Sequence, residues 1–204
     1  MKNFRNAWET LPEKFCLKST LQSDGNYIKV ITKSNTNLDQ LCEELKDWFK
    51  VKNLLIHSYC KAYHKAIPRV LAEEYIESVK DQLYDYKFYC FNGVPYCVCA
   101  SKEHFQDKFY PITYYDLQWN MLEVQSGKHR VEPIPMPEHL KEMIELAQKL
   151  SKGFPFLRVD FFDTKDKLYL AELTFYPGGG YFAYKPTSFN DTMGAMFNLS
   201  KLHC

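Results

Sequence analysis

The chain has no long apolar run and no excess of charge of either sign. No uninterrupted apolar segment approaches the roughly 20 residues that a membrane helix needs, and the N-terminus, MKNFRNAWETLPEKF, lacks the apolar stretch of a secretory signal. The 26 Lys and Arg residues balance 25 Asp and Glu, so no basic field favours nucleic-acid binding. We therefore predict a cytoplasmic protein with no membrane insertion and no nucleic-acid partner.

Paired cysteine motifs are also absent. The seven cysteines include no CxxC pair, and their odd number favours reduced thiols over disulfides. Cys97 and Cys99 would share one face of a strand and Cys90 lies just before the same turn, so a metal site is one interpretation. The other interpretation, which we favour, is that the thiols are buried as small hydrophobic groups.

Common nucleotide-binding motifs are missing, whereas aromatic residues are abundant. Neither a Walker A sequence nor a GxGxxG motif occurs. Aromatic residues form 16% of the chain, which is typical of a sheet-rich core or of a cleft that stacks a base or sugar ring. At 204 residues, one domain or two small lobes sharing a cleft is expected.

Turn signals and periodicity predict an α+β fold. FCLKS and NYIKVI are predicted strands around a loop that contains Gly25, and a helix capped by Asn37 follows them. A third strand is expected to end near Tyr75. Asn92-Gly93, between DYKFYCF and VPYCVCA, predicts a β-hairpin with a type I′ turn.

The C-terminal part predicts a helix followed by a second hairpin. Pro137 suits the first position of the helix, and Gly153 suits the position just past its end. FLRVDFFD and KLYLAELTF alternate as two strands around the turn TKDK, and the loop PGGG follows them. Ser188, with Asp191 three residues later, resembles the capping box of a final short helix.

Two carboxylates are predicted to face each other on the second hairpin. If the connecting loop has three or five residues, Asp160 lies opposite Glu172 and Arg158 lies opposite Thr174. Two charges at about 5 Å repel by roughly 3 kcal/mol at an effective dielectric near 20. Either Mg²⁺ sits between the acids, since it prefers hard oxygen ligands, or Arg158 neutralises both in a surface network.

Two lysines could supply contacts to phosphate. Lys18 precedes the loop that contains Ser23 and Gly25, whose backbone amides could cover phosphate oxygens. Lys87 lies in the middle of a strand, where a lysine that faces a cleft would bind an anion as a point charge. Each lysine alone is more often a solvated edge charge, and the loop alone is more often a plain hairpin turn.

The order of these elements resembles the ATP-grasp fold, and specifically the family named for the teichuronic acid biosynthesis protein TupA. The stretches that carry the resemblance are LPEKFCLKST, VLAEEYI, DYKFYCFNG, YYDLQWN and RVDFFDTKDKLYLAELTFYPGGG. The resemblance implies two α+β lobes with antiparallel sheets that enclose an ATP cleft. The N-terminal lobe would span residues 1–76, and the C-terminal lobe, with the metal hairpin and glycine loop, residues 77–204.

The same resemblance implies ATP and Mg²⁺ as cofactors and assigns roles by position. The residues expected to contact ATP are Lys18, Ser23, Gly25, Glu73, Glu74, Tyr75, Ile76 and Lys87. The expected metal ligands are Asp160, Glu172 and Thr174. Arg158 and Lys87 are the expected catalytic residues, which would steady the transferring phosphoryl group. The residues expected to bind the acceptor are Gly178, Gly179, Gly180, Tyr181 and Lys185.

The sequence departs from the family pattern in two places. Many ATP-grasp enzymes have Asn where this chain has Thr174, a weaker oxygen ligand. Family members also carry a further N-terminal segment, whereas only ten residues precede Leu11 here. We therefore expect an acceptor pocket that lacks a part, or one that a partner subunit or a second copy of the chain completes.

The resemblance implies a ligase that uses Mg-ATP to activate a carboxylate as an acyl phosphate for attack by an amine. The carboxylate would be a small molecule or linked to a glycan, in cell-surface polysaccharide biosynthesis. Two alternatives stay open: an ATP-dependent phosphotransferase that acts on a sugar or glycan, and a truncated protein that binds nucleotide without catalysis.

Overall fold

The computed structural model describes residues 2–20, 27–49, 67–77, 83–102, 110–164 and 166–198. The chain forms two compact units, Met1–Glu77 and Ser78–Cys204. Within the described ranges, no helix combines the length and the apolar character needed to cross a membrane.

The described residues of the first unit form a three-stranded antiparallel sheet and include two α-helices. Its elements are α1 (Lys2–Ala7), β1 (Lys14–Ser19), β2 (Ile28–Thr32), α2 (Leu38–Asp47) and β3 (Val70–Glu74), and the strand order is β2-β1-β3. Phe15 and Leu17 of β1 pack in a core with Leu41 and Leu45 of α2. The predicted cap of α2 is confirmed, because Asn37 Oδ1 accepts hydrogen bonds from two backbone amides at 3.0 and 3.1 Å.

The second unit contains a five-stranded antiparallel sheet in the order β6-β5-β4-β8-β9. Its strands are β4 (Tyr84–Phe91), β5 (Val94–Lys102), β6 (Ile112–Tyr115), β8 (Phe156–Thr164) and β9 (Lys167–Thr174). A separate two-stranded sheet pairs β7 (Gln125–Ser126) with β10 (Tyr184–Lys185). The helices are α3 (Leu140–Ser151) and α4 (Ser188–Ala195).

The Asn92-Gly93 hairpin forms as predicted. Both residues have positive φ, 51° and 82°, which a type I′ turn requires. The pairing shifts from Tyr89 with Cys97 to Cys90 with Pro95, so β5 carries a bulge beside its proline. A bulge is one of the few places in a sheet that tolerates the missing amide of proline.

Helix α3 packs on one face of the large sheet. Met143 and Ala147 are fully buried against a layer that includes Phe88, Val159 and Phe161. This packing is what strand alternation predicts, since Leu157, Val159 and Phe161 of β8 all lie in the same core cluster.

The helices of the second unit begin at other residues than the sequence predicts. Helix α3 begins at Leu140 and not at Pro137, because His139, with φ −98° and ψ 23°, lies outside the helical region, and its backbone amide donates to Asp163. Gly153 lies past its end with φ +88°, as predicted. The predicted capping box of α4 is wrong: Ser188 is already helical, and its carbonyl accepts the hydroxyl of Thr192.

The imidazole of His139 adds a second contact to the same carboxylate. Its Nδ1 lies 2.6 Å from Asp163 Oδ1, and this hydrogen bond raises the pKa of His139 above its ordinary value. Without that carboxylate, a protonated histidine at a helix N-terminus would be unfavourable.

We predict that this pair stabilises the fold most at acidic pH. Because the pKa of His139 is raised on folding, its contribution is fully present below the unfolded pKa, about 6.5, and is lost as pH rises through the folded value. His139→Gln should therefore lose stability at about pH 5.5 and little at about pH 8.5, as measured by urea unfolding. Asp163→Asn should remove the same pH-dependent component. An unchanged stability profile in His139→Gln would contradict the assignment.

Candidate active site

The pairing of β8 with β9 brings the predicted acidic residues together. Asp160 lies opposite Glu172, and Arg158 lies opposite Thr174, so both predicted pairs are confirmed. The route to this register differs from the prediction, because Thr164 pairs with Lys167 and leaves a connection of only two residues.

A β-bulge restores the register. Phe161 pairs with Leu170, whereas the preceding residue, Asp160, pairs with Glu172, so Ala171 is an extra residue in β9. If Ala171 were paired in the regular ladder and not bulged, the two-residue turn would place Asp160 opposite Ala171. Glu172 would then lie opposite Val159, on the face that packs against α3.

Arg158 makes a bidentate ion pair with Asp160 along one strand. Its Nε lies 2.8 and 3.1 Å from the two carboxylate oxygens, and its Nη2 lies 2.6 Å from Oδ2. The same Nη2 donates to the hydroxyl of Thr174 at 3.0 Å, and that hydroxyl donates to Glu172 at 2.5 Å. Arg158 thus supplies the positive charge that the two facing carboxylates require.

The two acids have different surroundings. Asp160 is 2% exposed, and burial raises the pKa of its carboxyl group while the Arg158 guanidinium opposes that rise. The side chain of Glu172 is 61% exposed and lies 4.0 Å from Arg158 Nη2. Glu172 is therefore the acid with oxygen electron pairs open to a cation from solvent.

Lys87 lies on the neighbouring strand, directly opposite Asp160. Its ammonium group forms an ion pair with Asp85, two residues earlier on the same face, and both side chains are largely buried. Among the described residues, Asp85 Oδ1 and the facing Ser101 Oγ are buried without a hydrogen-bond partner. Lys87 thus neutralises a buried acid of the sheet as well as facing Asp160.

These side chains form a continuous polar strip across β4, β8 and β9. The polar strip consists of Asp85, Lys87, Arg158, Asp160, Glu172 and Thr174. No group of three or more His, Cys, Asp or Glu side chains that could hold a metal occurs in the described part of the chain. Two carboxylates and a hydroxyl nevertheless fit Mg²⁺, which often binds through one or two carboxylates and completes its shell with water and phosphate oxygens.

The cysteine hypothesis resolves in favour of packing within the described region. Cys97 and Cys99 do share a face of β5, but Cys90 belongs to the core cluster on the opposite face, under α3. Burial raises the pKa of Cys90 to about 12, which keeps this thiol protonated.

In the first unit, Lys18 and Glu73 lie on adjacent strands, and their charged groups are 2.5 Å apart. Glu74 ends β3, in agreement with a strand predicted to end near Tyr75, and Tyr75 and Ile76 lie just past the strand. The reason is the partner strand: β1 pairs Phe15 with Glu74, and its ladder with β3 stops there. The predicted residues Ser23 and Gly25 lie outside the described residues.

The glycine loop has backbone angles that few other residues adopt. Gly178, Gly179 and Gly180 have φ of 55°, 66° and 86°. A Cβ on Gly178 would lie 2.9 Å from the ring of Phe182, so a larger residue would displace that ring. Tyr181 is 73% exposed, and Lys185 pairs with Gln125 between β10 and β7.

An aromatic cavity that the sequence does not predict lies beside the polar strip. The cavity, of about 650 Å³, is lined by aromatic side chains from several elements together with Gly180, Asn190 and Gly194. Tyr89, Phe156 and Phe175 form the part of its wall nearest the strip in sequence and register. The surplus of aromatic residues is the sequence signal for it, but composition does not separate the residues of a cleft from those of the core.

Comparison with known proteins identifies the family. The model of the TupA-like ATP-grasp family matches residues 5–198. D-Alanine–D-alanine ligase from Helicobacter pylori is similar in structure, with a TM-score of 0.50 and 16% identity over 99% of this chain and 54% of the ligase. The Bacillus anthracis enzyme gives a TM-score of 0.49 and 18% identity over 93% and 52%.

A third similar structure is the ATP-grasp ligase PsnB complexed with minimal precursor, with a TM-score of 0.47 and 10% identity over 97% of this chain and 52% of PsnB. This chain thus spans about half the length of these ligases. A search of curated proteins gave no match. Because the family model covers nearly all of its residues, the chain belongs to the TupA-like ATP-grasp family.

Proposed function

We propose that this protein is a Mg-ATP-dependent ligase that activates a carboxylate as an acyl phosphate for attack by an amine. The observation that carries the proposal is the pair of facing acids, Asp160 and Glu172, with Arg158 and Lys87 beside them, in a member of an ATP-grasp family. Such a reaction needs no protein nucleophile, because positioning and charge neutralisation provide most of the catalysis.

The residues of the polar strip have separate proposed roles in binding Mg²⁺ and the phosphates. Glu172, Asp160 and Thr174 would hold Mg²⁺, which when bound neutralises phosphate oxygens. Glu172 is exposed and offers its oxygens directly, whereas Asp160 would share its oxygens with Arg158. The planar guanidinium of Arg158 suits the trigonal oxygens of a transferring phosphoryl group. Lys87 would contribute a second positive charge toward the phosphates.

The substrates of the proposed reaction follow from the acyl phosphate. A carboxylate, free or attached to a glycan, would receive the terminal phosphoryl group of ATP, and an amine would displace the phosphate. We infer a role in cell-surface polysaccharide biosynthesis from the family alone. A partner subunit or second copy would complete the acceptor pocket if the chain acts without a further segment.

We predict that ADP forms only when a carboxylate and an amine are both present. The measurement is ADP release in a coupled assay, with mass spectrometry of the product across panels of acids and amines. ADP release with a sugar alone, and a phosphorylated sugar as product, would replace the ligase by a phosphotransferase.

We also predict that Mg-ATP stabilises the protein more than ATP alone. A ligand at a hundred times its dissociation constant adds about 2.7 kcal/mol, which corresponds to a melting shift of about 5–11 °C for a chain of this size. Glu172→Gln should lose the additional shift that Mg²⁺ gives, at little cost to the unliganded protein, because Glu172 is exposed. The measurement is thermal unfolding with ATP, with and without Mg²⁺.

Glu132→Gln is the matched control, since Glu132 is a half-exposed acid that pairs with Arg130 outside the polar strip. It should keep the full Mg²⁺ effect. Asp160→Asn is a poorer test, because it leaves Arg158 buried without its partner and should lower stability by itself. If Glu172→Gln retains the whole shift, the metal does not bind at this hairpin.

A further prediction separates the two roles of Lys87. Lys87→Ala leaves Asp85 buried without its cation, so it should lower the free energy of unfolding by about 1–3 kcal/mol. Lys87→Met combined with Asp85→Asn removes both charges and should recover much of that loss. Both variants should bind Mg-ATP more weakly, as measured by calorimetry. Normal ATP affinity in the folded double variant would assign Lys87 a structural role alone.

A further inference from the structure

We propose that the aromatic cavity beside the polar strip binds a hydrocarbon group, aryl or prenyl, attached to the carboxylate that the enzyme activates. This inference rests on the proposed ligase function and adds the substrate class. Its basis is the composition of the cavity wall, the place of the cavity next to Arg158, and its volume.

The wall of the cavity is mainly apolar: its described residues include no charged side chain, and its polar side chains are those of Tyr89, Tyr176, Tyr184 and Asn190. Phe154 and Phe175 meet edge to face at 5.2 Å, and Phe156 stacks on Phe197 at 5.5 Å, so two packed pairs of rings form part of the wall. The amide of Asn190 is already engaged by the backbone of Tyr184 and Thr187.

This chemistry discriminates between classes of ligand. An aromatic wall can stack a sugar ring, but the hydroxyls of Tyr89 and Tyr184 bond to each other and few other side-chain partners line the wall, so most sugar hydroxyls would be unpaired at about 1–3 kcal/mol each. A hydrocarbon group loses nothing on leaving water and gains contact with the aromatic faces. The wall therefore favours a hydrocarbon over a saccharide.

The cavity also lies where a substrate tail would be expected. Tyr89, in its wall, is directly opposite Arg158 in the pairing of β4 with β8. Phe156 precedes Arg158 by two residues on the same face, and Phe175 directly follows Thr174. A tail in the cavity thus leaves its carboxylate on the side of Arg158 and the proposed metal ligands.

The volume of the cavity, about 650 Å³, is within the range of small-molecule sites. It exceeds the size of a single phenyl ring, so both an aryl group and a short branched chain would fit. Aryl and prenyl groups are both apolar hydrocarbons, and the experiment below distinguishes between them.

The test compares carboxylates that differ only in what carries the acid group: 3-phenylpropanoate, geranate and glucuronate. Calorimetry should give at least one of the two hydrocarbon acids about a tenfold higher affinity than glucuronate, since burial of apolar area supplies the difference. The tighter of the two identifies the source as aryl or prenyl. Equal or tighter binding of glucuronate, or binding of neither hydrocarbon acid, would overturn the proposal.

A variant that fills the cavity locates the binding. Gly194 of α4 lines it, and a Cβ there meets no atom within 4 Å, so Gly194→Leu would project into the space. It should weaken binding of the hydrocarbon acid about tenfold or more, whereas Leu170→Ala, at an exposed leucine outside the wall, should not. Phe175→Ala, which removes part of the wall, should also weaken binding and serves if Gly194→Leu fails to fold.

Undiminished affinity in the folded cavity variant would place the ligand elsewhere and end the proposal. The Mg-ATP melting shift of the unmodified protein is measured in parallel. Hydrocarbon acids that bind a protein without this shift would retain the cavity and refute the ligase. A normal Mg-ATP melting shift without binding of either hydrocarbon acid would refute the cavity proposal and leave the proposed ligase function standing.

Discussion

The buried ion pair between Arg158 and Asp160 is the interaction on which the candidate site depends. A carboxylate as buried as that of Asp160 persists in charged form only with a well-placed partner, and Arg158 provides a bidentate one. The same guanidinium extends to Thr174 and, through its hydroxyl, to Glu172. One side chain therefore fixes the orientation of every oxygen ligand in the proposed metal site.

One face of the large sheet packs beneath α3, and the other carries both the polar strip and a second core cluster that includes Tyr89 and Cys99. Leu157, Val159 and Phe161 anchor β8 to the core beneath α3, while Arg158 and Asp160, between them in sequence, face the other way. A rigid strand thus carries the charged groups at fixed spacing. Sites on such elements keep their geometry more closely than sites on loops.

Alternation and turn chemistry predict the hairpins and the main helix, and they place Asp160 and Glu172 on one face, but the bulge that sets the two acids opposite each other has no signal in the sequence. What they could not predict depends on contacts distant in sequence. The ring of Phe197 packs on Phe91, and both rings line the cavity. No motif or periodic pattern near either residue predicts this contact. The ion pair of Lys87 with Asp85 joins residues only two positions apart. Alternation places both side chains on one face of β4, but it does not indicate that this face is buried.

The bulge at Ala171 has a consequence for how this hairpin can vary. The single extra residue offsets the two-residue turn, so the acids face each other although the turn alone would set them apart. Changes of sequence within the turn leave that compensation intact. A turn longer by one residue would keep the acids facing each other only if the bulge were lost, so an insertion in the turn should be accompanied by a deletion at the bulge among related chains.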